Sequence, residues 1–119
     1  YMPGFWYYQT DKKVDFNFTT INNLVNFLKI HESLNQHSSV LLFNPIPKNK
    51  AIEKKHIDKW IKDSIKKAKK KSIEGKELTP FLIKEINLLS KNQTLKANIG
   101  LIINNALLAG KLAKNYKSN

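Results

Sequence analysis

The sequence predicts an α/β fold that is mostly helical, with one clear strand at about residues 39–44. Val40-Leu-Leu-Phe43 is a short unbroken apolar run, the pattern of a strand covered on both faces. Asn44-Pro-Ile-Pro47 cannot continue a hydrogen-bonded ladder, so the strand must end there. One strand cannot satisfy its own backbone donors and acceptors. We therefore expect this chain to form part of a larger domain with α/β/α layers.

The first twenty residues predict an irregular segment that needs a surface to cover it. Their large rings are Phe5, Trp6, Tyr7, Tyr8, Phe16 and Phe18. So many aromatic side chains are rarely left in water by a folded protein. The chain also begins with a tyrosine in place of methionine. Both features favour the C-terminal piece of a longer protein.

Helical periodicity follows in two places. Thr20 can cap a helix whose apolar positions then repeat at spacings of three and four, namely Ile21, Leu24, Val25 and Leu28. A long helix is predicted from about Ala51 to Ser72, with lysines opposite its apolar stripe. Gly75 is the expected stop signal after that helix.

Two further helices are predicted in the remainder of the chain. Thr79 is the expected cap of the third helix, with Pro80 in its first turn, where a missing N–H is tolerated. Thr94 is the expected cap of the last helix, which should run from Leu95 to about Lys114. Over residues 97–110 this last helix is apolar except for three asparagines, Asn98, Asn104 and Asn105. Because a buried amide must be hydrogen-bonded, these three are the candidate polar site of the chain.

Composition limits the class of protein. At 119 residues the chain is one domain at most, and 41% hydrophobic content is typical of a globular protein. There is no cysteine, so disulfides and thiolate metal sites are excluded. We expect no membrane partner, because the longest apolar run, over residues 97–110, is too short to cross a bilayer. No secretory signal pattern is present, which favours a cytoplasmic protein.

The net charge of +12 raises the question of a nucleic-acid partner. All 21 basic residues are lysine, however, and arginine provides the bidentate contacts of most specific binders. Fourteen asparagines accompany the lysines, a combination that indicates a biased codon composition. We therefore expect no specific nucleic-acid partner, although weak, salt-sensitive binding of a polyanion remains open.

Six motifs along the chain resemble, in order and spacing, those of the pseudouridine-5'-phosphate glycosidases, also called indigoidine-synthase-A-like proteins. They are Pro3-Gly-Phe-Trp6, Val14-Asp-Phe16, Val40-Leu-Leu-Phe-Asn-Pro-Ile-Pro47, Gly75-Lys-Glu-Leu-Thr-Pro-Phe-Leu82, Asn98-Ile99 and Asn104-Asn-Ala106. The resemblance covers nearly the whole chain. It implies that residues 1–119 are the C-terminal part of a single glycosidase domain whose upstream catalytic part is absent.

The resemblance also implies a reaction. Members of this family reversibly cleave the C–C glycosidic bond of pseudouridine 5'-phosphate to give uracil and ribose 5-phosphate, a step in nucleotide metabolism. They use an imine-forming lysine, a glutamate acid/base and an aspartate that holds a divalent metal, typically Mn²⁺, and they form homotrimers. All these catalytic groups lie upstream of the point that matches Tyr1. The resemblance therefore implies no metal ligand within this chain.

One candidate catalytic residue carries over. Asn98 matches the active-site asparagine of the family's Asn-Ile motif, and the predicted helix places it near N–H groups that suit a polar ligand. The alternative is an amide that only caps a neighbouring loop. Asn105 is a candidate substrate-binding residue, although Asn104 and Asn105 are more typical of structural amides that bond backbone groups between helices.

Two interpretations of the whole chain follow. The first is a fragment of a glycosidase that is inactive by itself. The alternative is a truncated inactive relative, or a basic helical binding module with a polyanion partner.

Overall fold

The structure is a computed structural model that describes residues 1–35 and 38–118. In this part of the chain the α-helices are α1 (Ile21–Ser33), α2 (Lys54–Lys70), α3 (Leu78–Leu89) and α4 (Gln93–Ser118). Short 3₁₀ turns at Lys48–Lys50 and Gly75–Glu77 precede α2 and α3. None of the described helices is both long and apolar enough to cross a membrane.

The predicted strand at residues 39–44 is wrong, and with it the α/β fold class, because the described residues contain helices and no strand. Val40–Phe43 is irregular, and its four side chains are exposed, Leu41 by 76%. The apolar run was interpreted as a strand covered on both faces. A ladder needs a second strand, and no other segment in the described part of the chain supplies one.

The start of α1 confirms its predicted cap. Thr20 is extended, and its hydroxyl accepts a hydrogen bond of 3.2 Å from the backbone N–H of Asn23. The second helix begins at Lys54, three residues later than Ala51, where it was expected. The delay has a local cause, since Lys48–Lys50 form a 3₁₀ turn and Ala51 after it is extended.

Non-glycine residues in the left-handed region follow three of the helices. Ser72 after α2 has φ 51°, Lys91 after α3 has φ 50°, and Asn35 after α1 has φ 49°. The Ile73 N–H reaches the Ala68 carbonyl at 3.1 Å, which closes α2 in the usual left-handed capping pattern. Gly75 is therefore not the stop signal that the sequence predicted.

Two other predicted caps are also wrong. The third helix begins at Leu78, so Thr79 lies inside its first turn and not before it. Pro80 is in that first turn as expected, where its missing N–H costs no helical hydrogen bond. The fourth helix begins at Gln93, so Thr94 is also inside its helix.

The main core takes one residue from each of five segments of the chain. Its buried members are Trp6, Ile46, Ile57, Ile86 and Ala97, which come from the N-terminal segment, the segment before α2, and helices α2, α3 and α4. Helix α3 packs against both α2 and α4. No single segment can be removed without opening this core.

A second contact joins α1 to the distal part of α4. Leu24 and Val25 are the buried residues of α1. At the end of the contact the Tyr116 hydroxyl donates a hydrogen bond to the Glu32 carboxylate, and the Lys29 ammonium lies 5.5 Å from the centre of the tyrosine ring. The hydrogen bond to Glu32 raises the pKa of Tyr116 above its ordinary value.

The chain exposes more surface than a self-contained protein of its size. Its accessible area is 9213 Å², whereas a monomer of 13.8 kDa typically exposes about 6600 Å². The radius of gyration is 17.9 Å, against about 13.5 Å for a compact domain of this length. Much of the excess is apolar, including Leu41, Leu95, Ile99, Ile102, Ile103 and Leu107.

The isolated 119-residue chain should therefore bind a hydrophobic dye strongly and melt over a broad range without a sharp transition. Dye fluorescence and a thermal scan measure both properties. A double variant, Leu41→Lys with Ile102→Lys, is the control, because these side chains are 76% and 66% exposed and their replacement should reduce dye binding without unfolding the chain. A sharp cooperative transition in a monomeric sample would contradict this expectation.

In the complete protein, Ser72→Gly should increase the free energy of unfolding by about 0.5–1 kcal/mol, because glycine adopts the left-handed region without a Cβ penalty. The midpoint of denaturant unfolding measures the change. Lys66→Gly is the matched control, since it places glycine at an exposed position in the interior of the same helix and should destabilise by about 1 kcal/mol. If both variants are destabilised equally, the left-handed residue is not strained.

Candidate functional site

Asn98 lies in the second turn of α4 and lines a cavity of about 470 Å³. Helix α3, the start of α4 and the N-terminal segment form its walls. The uncharged polar lining residues are Thr79, Asn87, Thr94 and Asn98, Lys84 is a cation, and the apolar ones are Trp6, Pro80, Ile83 and Leu95. The volume is within the range of small-molecule sites, which is about 300–1,000 Å³.

The tight turn between α3 and α4 sets the position of this cavity. Lys91 and Asn92 are both in the left-handed region, and the Asn92 N–H donates to the Asn87 carbonyl at 3.0 Å. Ser90 and Thr94 are buried, and their hydroxyl oxygens are 3.0 Å apart. These contacts fix the first turn of α4 and therefore the direction of the Asn98 side chain one turn later.

Two polar atoms of the lining residues lack a hydrogen-bond partner. Asn98 Oδ1 and Trp6 Nε1 are both buried, and neither has a partner among the described residues. The other polar side chains at this end are paired, since Thr94 Oγ1 donates to Asn87 Oδ1 at 3.3 Å and Asn87 Nδ2 donates to Asn92 Oδ1 at 3.0 Å. A buried polar atom without a partner costs about 1–3 kcal/mol, so these two atoms are the candidates in this chain for contact with a bound group.

The helix start does not provide the anion site that the sequence suggested. The Thr94 N–H donates to Ser90 Oγ at 3.3 Å, and the Gln93 N–H donates to the Ser90 carbonyl at 3.1 Å. Ser90 therefore takes up N–H groups that a phosphate could otherwise use. Asn98 lies beyond them, in the second turn and not the first.

Asn104 and Asn105 serve a different part of the structure. Asn104 Nδ2 donates to the Pro45 carbonyl at 3.0 Å, and Asn105 Oδ1 accepts from Asn44 Nδ2 at 3.0 Å. Both contacts hold the segment after Phe43 against α4. Neither residue lines the cavity at Asn98. A substrate contact of Asn105 stays a prediction.

The described residues do not fit a metal site. No group of three or more histidine, aspartate or glutamate residues in this part of the chain lies close enough together to hold an ion. Nor do they fit an imine-forming lysine, which needs a desolvated site. Among the described residues every lysine is exposed except the half-buried Lys29, and that residue lies over Tyr116 in the α1–α4 contact.

That Trp6 lines this cavity could not be predicted from the sequence. The aromatic N-terminal segment predicted a need for a covering surface, and Trp6 is indeed buried in the core. A hydrogen bond of 2.8 Å from the Ile52 N–H to the Trp6 carbonyl holds this residue, which lines the same cavity as Asn98. A contact between distant backbone atoms has no local sequence signal.

Comparisons with known proteins agree with the motifs. The family described as "Indigoidine synthase A like protein" matches residues 1–115. A pseudouridine-5'-phosphate glycosidase from Petrotoga mobilis is 38% identical over 115 residues, which is 97% of this chain and 38% of that protein. Pseudouridine-5'-phosphate glycosidase 2 of Rhizobium johnstonii is 38% identical over 114 residues, which is 96% of this chain and 37% of that protein.

A similar protein from Brachyspira hyodysenteriae, also named pseudouridine-5'-phosphate glycosidase, is 33% identical over 116 residues, 98% of this chain and 38% of that protein. The chain thus spans less than two fifths of the length of these curated relatives. The family match covers almost every residue, from the aromatic N-terminal segment to residue 115 in the last turns of α4. The chain therefore belongs to the indigoidine synthase A like family.

Proposed function

We propose that the complete protein is a pseudouridine-5'-phosphate glycosidase, which reversibly cleaves the C–C glycosidic bond of its substrate to give uracil and ribose 5-phosphate. The observation that carries this proposal is the match to enzymes of that name over 97–98% of the chain. The chain contributes one wall of a substrate site and not the whole of it. This role fits its length relative to those enzymes.

Asn98 is the residue of this chain that we assign to the substrate. Its amide oxygen is buried at the cavity without a partner among the described residues, which is the state expected of a group whose partner is the substrate. An amide held by a helix can orient a reacting group through one hydrogen bond at little entropic cost. Asn105 is a weaker candidate, because its amide oxygen is already paired with Asn44.

The remaining chemistry belongs to the longer part of the protein. We assign the imine lysine, the acid/base glutamate and the Mn²⁺ ligand to that part, as the resemblance to the family implies. The described residues contain no desolvated lysine and no cluster of metal ligands. Manganese would supply a positive charge near the substrate there. A homotrimer and a cytoplasmic location complete the proposal, both by resemblance to the family.

The isolated chain should release no uracil from pseudouridine 5'-phosphate in the presence of Mn²⁺ above a buffer blank. The reason is the absence of a desolvated lysine among the described residues. Chromatographic assay of uracil measures the result, with the complete protein as the positive control. Turnover by the isolated chain would show that the catalytic groups are misassigned.

In the complete protein, Asn98→Ala should reduce kcat/KM by roughly 10² to 10³, because a hydrogen bond to the reacting group is lost. The denaturation midpoint should change little, since the Asn98 oxygen has no partner within the described chain. Asn104→Ala is the matched control. It removes an amide with a protein partner, the Pro45 carbonyl, and should cost about 1–3 kcal/mol of stability with near-normal turnover.

The comparison of the two variants decides the assignment. An Asn98→Ala protein that melts early and turns over normally would make Asn98 a structural amide. Asn105→Ala tests the weaker candidate in the same assay. A wild-type protein that does not convert pseudouridine 5'-phosphate in either direction would overturn the proposed function itself.

A further inference from the structure

We propose that Trp6 is a ligand-binding residue whose indole N–H donates a hydrogen bond to a carbonyl oxygen of the pyrimidine base. The identification of that base rests on the proposed function. The indole group is a donor only, so its partner in the ligand must be an acceptor.

The first support is the burial of Trp6 without a polar partner. The residue is 7% exposed, and Nε1 has no hydrogen-bond partner among the described residues. Buried tryptophan N–H groups usually find an acceptor, because an unpaired one keeps its full desolvation cost. Trp6 lines the cavity at Asn98, but Nε1 itself is closed to water, so a carbonyl oxygen of the ligand must enter beside the indole edge to reach it.

The second support is that the donor is held in place before any ligand binds. The Trp6 carbonyl accepts from the Ile52 N–H at 2.8 Å, and its ring lies 4.9 Å from that of Phe5. The same ring is packed in the core with Ile57 and Ile86. A donor fixed in this way loses little conformational entropy on binding.

The chemistry of the cavity favours an uncharged ring with an amide edge. Trp6 Nε1 provides a donor and Asn98 Oδ1 an acceptor, and a pyrimidine base carries both the C=O and the N–H groups that such atoms bind. A phosphate would place anionic oxygens against the Asn98 oxygen. The walls at Ile83 and Leu95 are apolar, and Lys84, the one cation among the lining residues, is exposed.

Nuclear magnetic resonance of the complete protein, labelled with ¹⁵N-tryptophan, tests the proposal directly. Trp6 is one of two tryptophans in the 119 residues, and Trp60→Phe identifies the Trp60 signal, while comparison with Trp6→Phe identifies the Trp6 signal. Addition of uracil should shift the Trp6 indole N–H signal downfield, and ribose 5-phosphate alone should leave it in place. Replacing the oxygen that accepts from Trp6 with sulfur should give a smaller shift than uracil, because sulfur is a weak acceptor. That oxygen is replaced in either 2-thiouracil or 4-thiouracil, so one of the two should show the smaller shift.

Kinetics in the direction of synthesis provide the second test. Trp6→Phe keeps an aromatic ring in the core and removes the N–H. It should raise the KM for uracil about tenfold, leave the KM for ribose 5-phosphate unchanged, and abolish the preference for uracil over the discriminating thiouracil. Trp60→Phe is the matched control, because Trp60 is half-buried on α2 and does not line the cavity.

Each outcome has a definite meaning. If the Trp6 signal responds equally to uracil and to ribose 5-phosphate, or to neither, the role of Trp6 is overturned. The proposed function still stands in that case, provided that the wild-type enzyme is active. If Trp6→Phe does not fold, the role of Trp6 is decided by the changes in chemical shift that uracil and the two thiouracils cause in the wild-type protein. If Trp6→Phe only melts earlier and keeps the preference for uracil, Trp6 is a core residue. An inactive wild-type protein overturns the proposed function and this inference together.

Discussion

The five-segment core is the constraint on which the rest of this structure depends. Each of its buried residues comes from a different segment, so their packing holds five separate segments in fixed positions relative to one another. Ala97 is the smallest of the five and allows α4 to approach closely. The same residue precedes Asn98, and Trp6 belongs to both the core and the cavity. The packing that orders the helices therefore also places the unpaired donor and acceptor at one cavity.

The presence of the α-helices was predictable from the sequence, whereas the residues at which they begin and end were only partly predictable. The first helix and its Thr20 cap follow from local spacing and a local hydrogen bond, and both are confirmed. Thr79 and Thr94 were equally good caps by composition, yet both lie inside their helices. The turn between α3 and α4 is closed by the left-handed Lys91 and Asn92, which carry no glycine signal.

The strand and the cavity show two different limits of sequence-based prediction. Val40–Phe43 has the composition of a buried strand, but a strand also requires a pairing partner, which composition cannot report. Asn98 could be named because a family motif marked it. Trp6 could not, because the hydrogen bond between Ile52 and Trp6 that holds it beside the cavity joins residues far apart in the sequence.

An unpaired buried polar atom indicates a ligand site only when it borders a space that a ligand can occupy. Ser64 Oγ is also buried and without a partner in the described chain. Ser64 does not line the cavity at Asn98, however, nor the groove between the N-terminal segment and Val40–Phe43. The unpaired Ser64 hydroxyl therefore destabilises the packing of α2, and no ligand contact compensates for it. Trp6 and Asn98 differ because both line one cavity and supply complementary groups, a donor and an acceptor. That complementarity distinguishes a binding site from a packing defect, and it sets the chemistry of the ligand that would relieve both atoms at once.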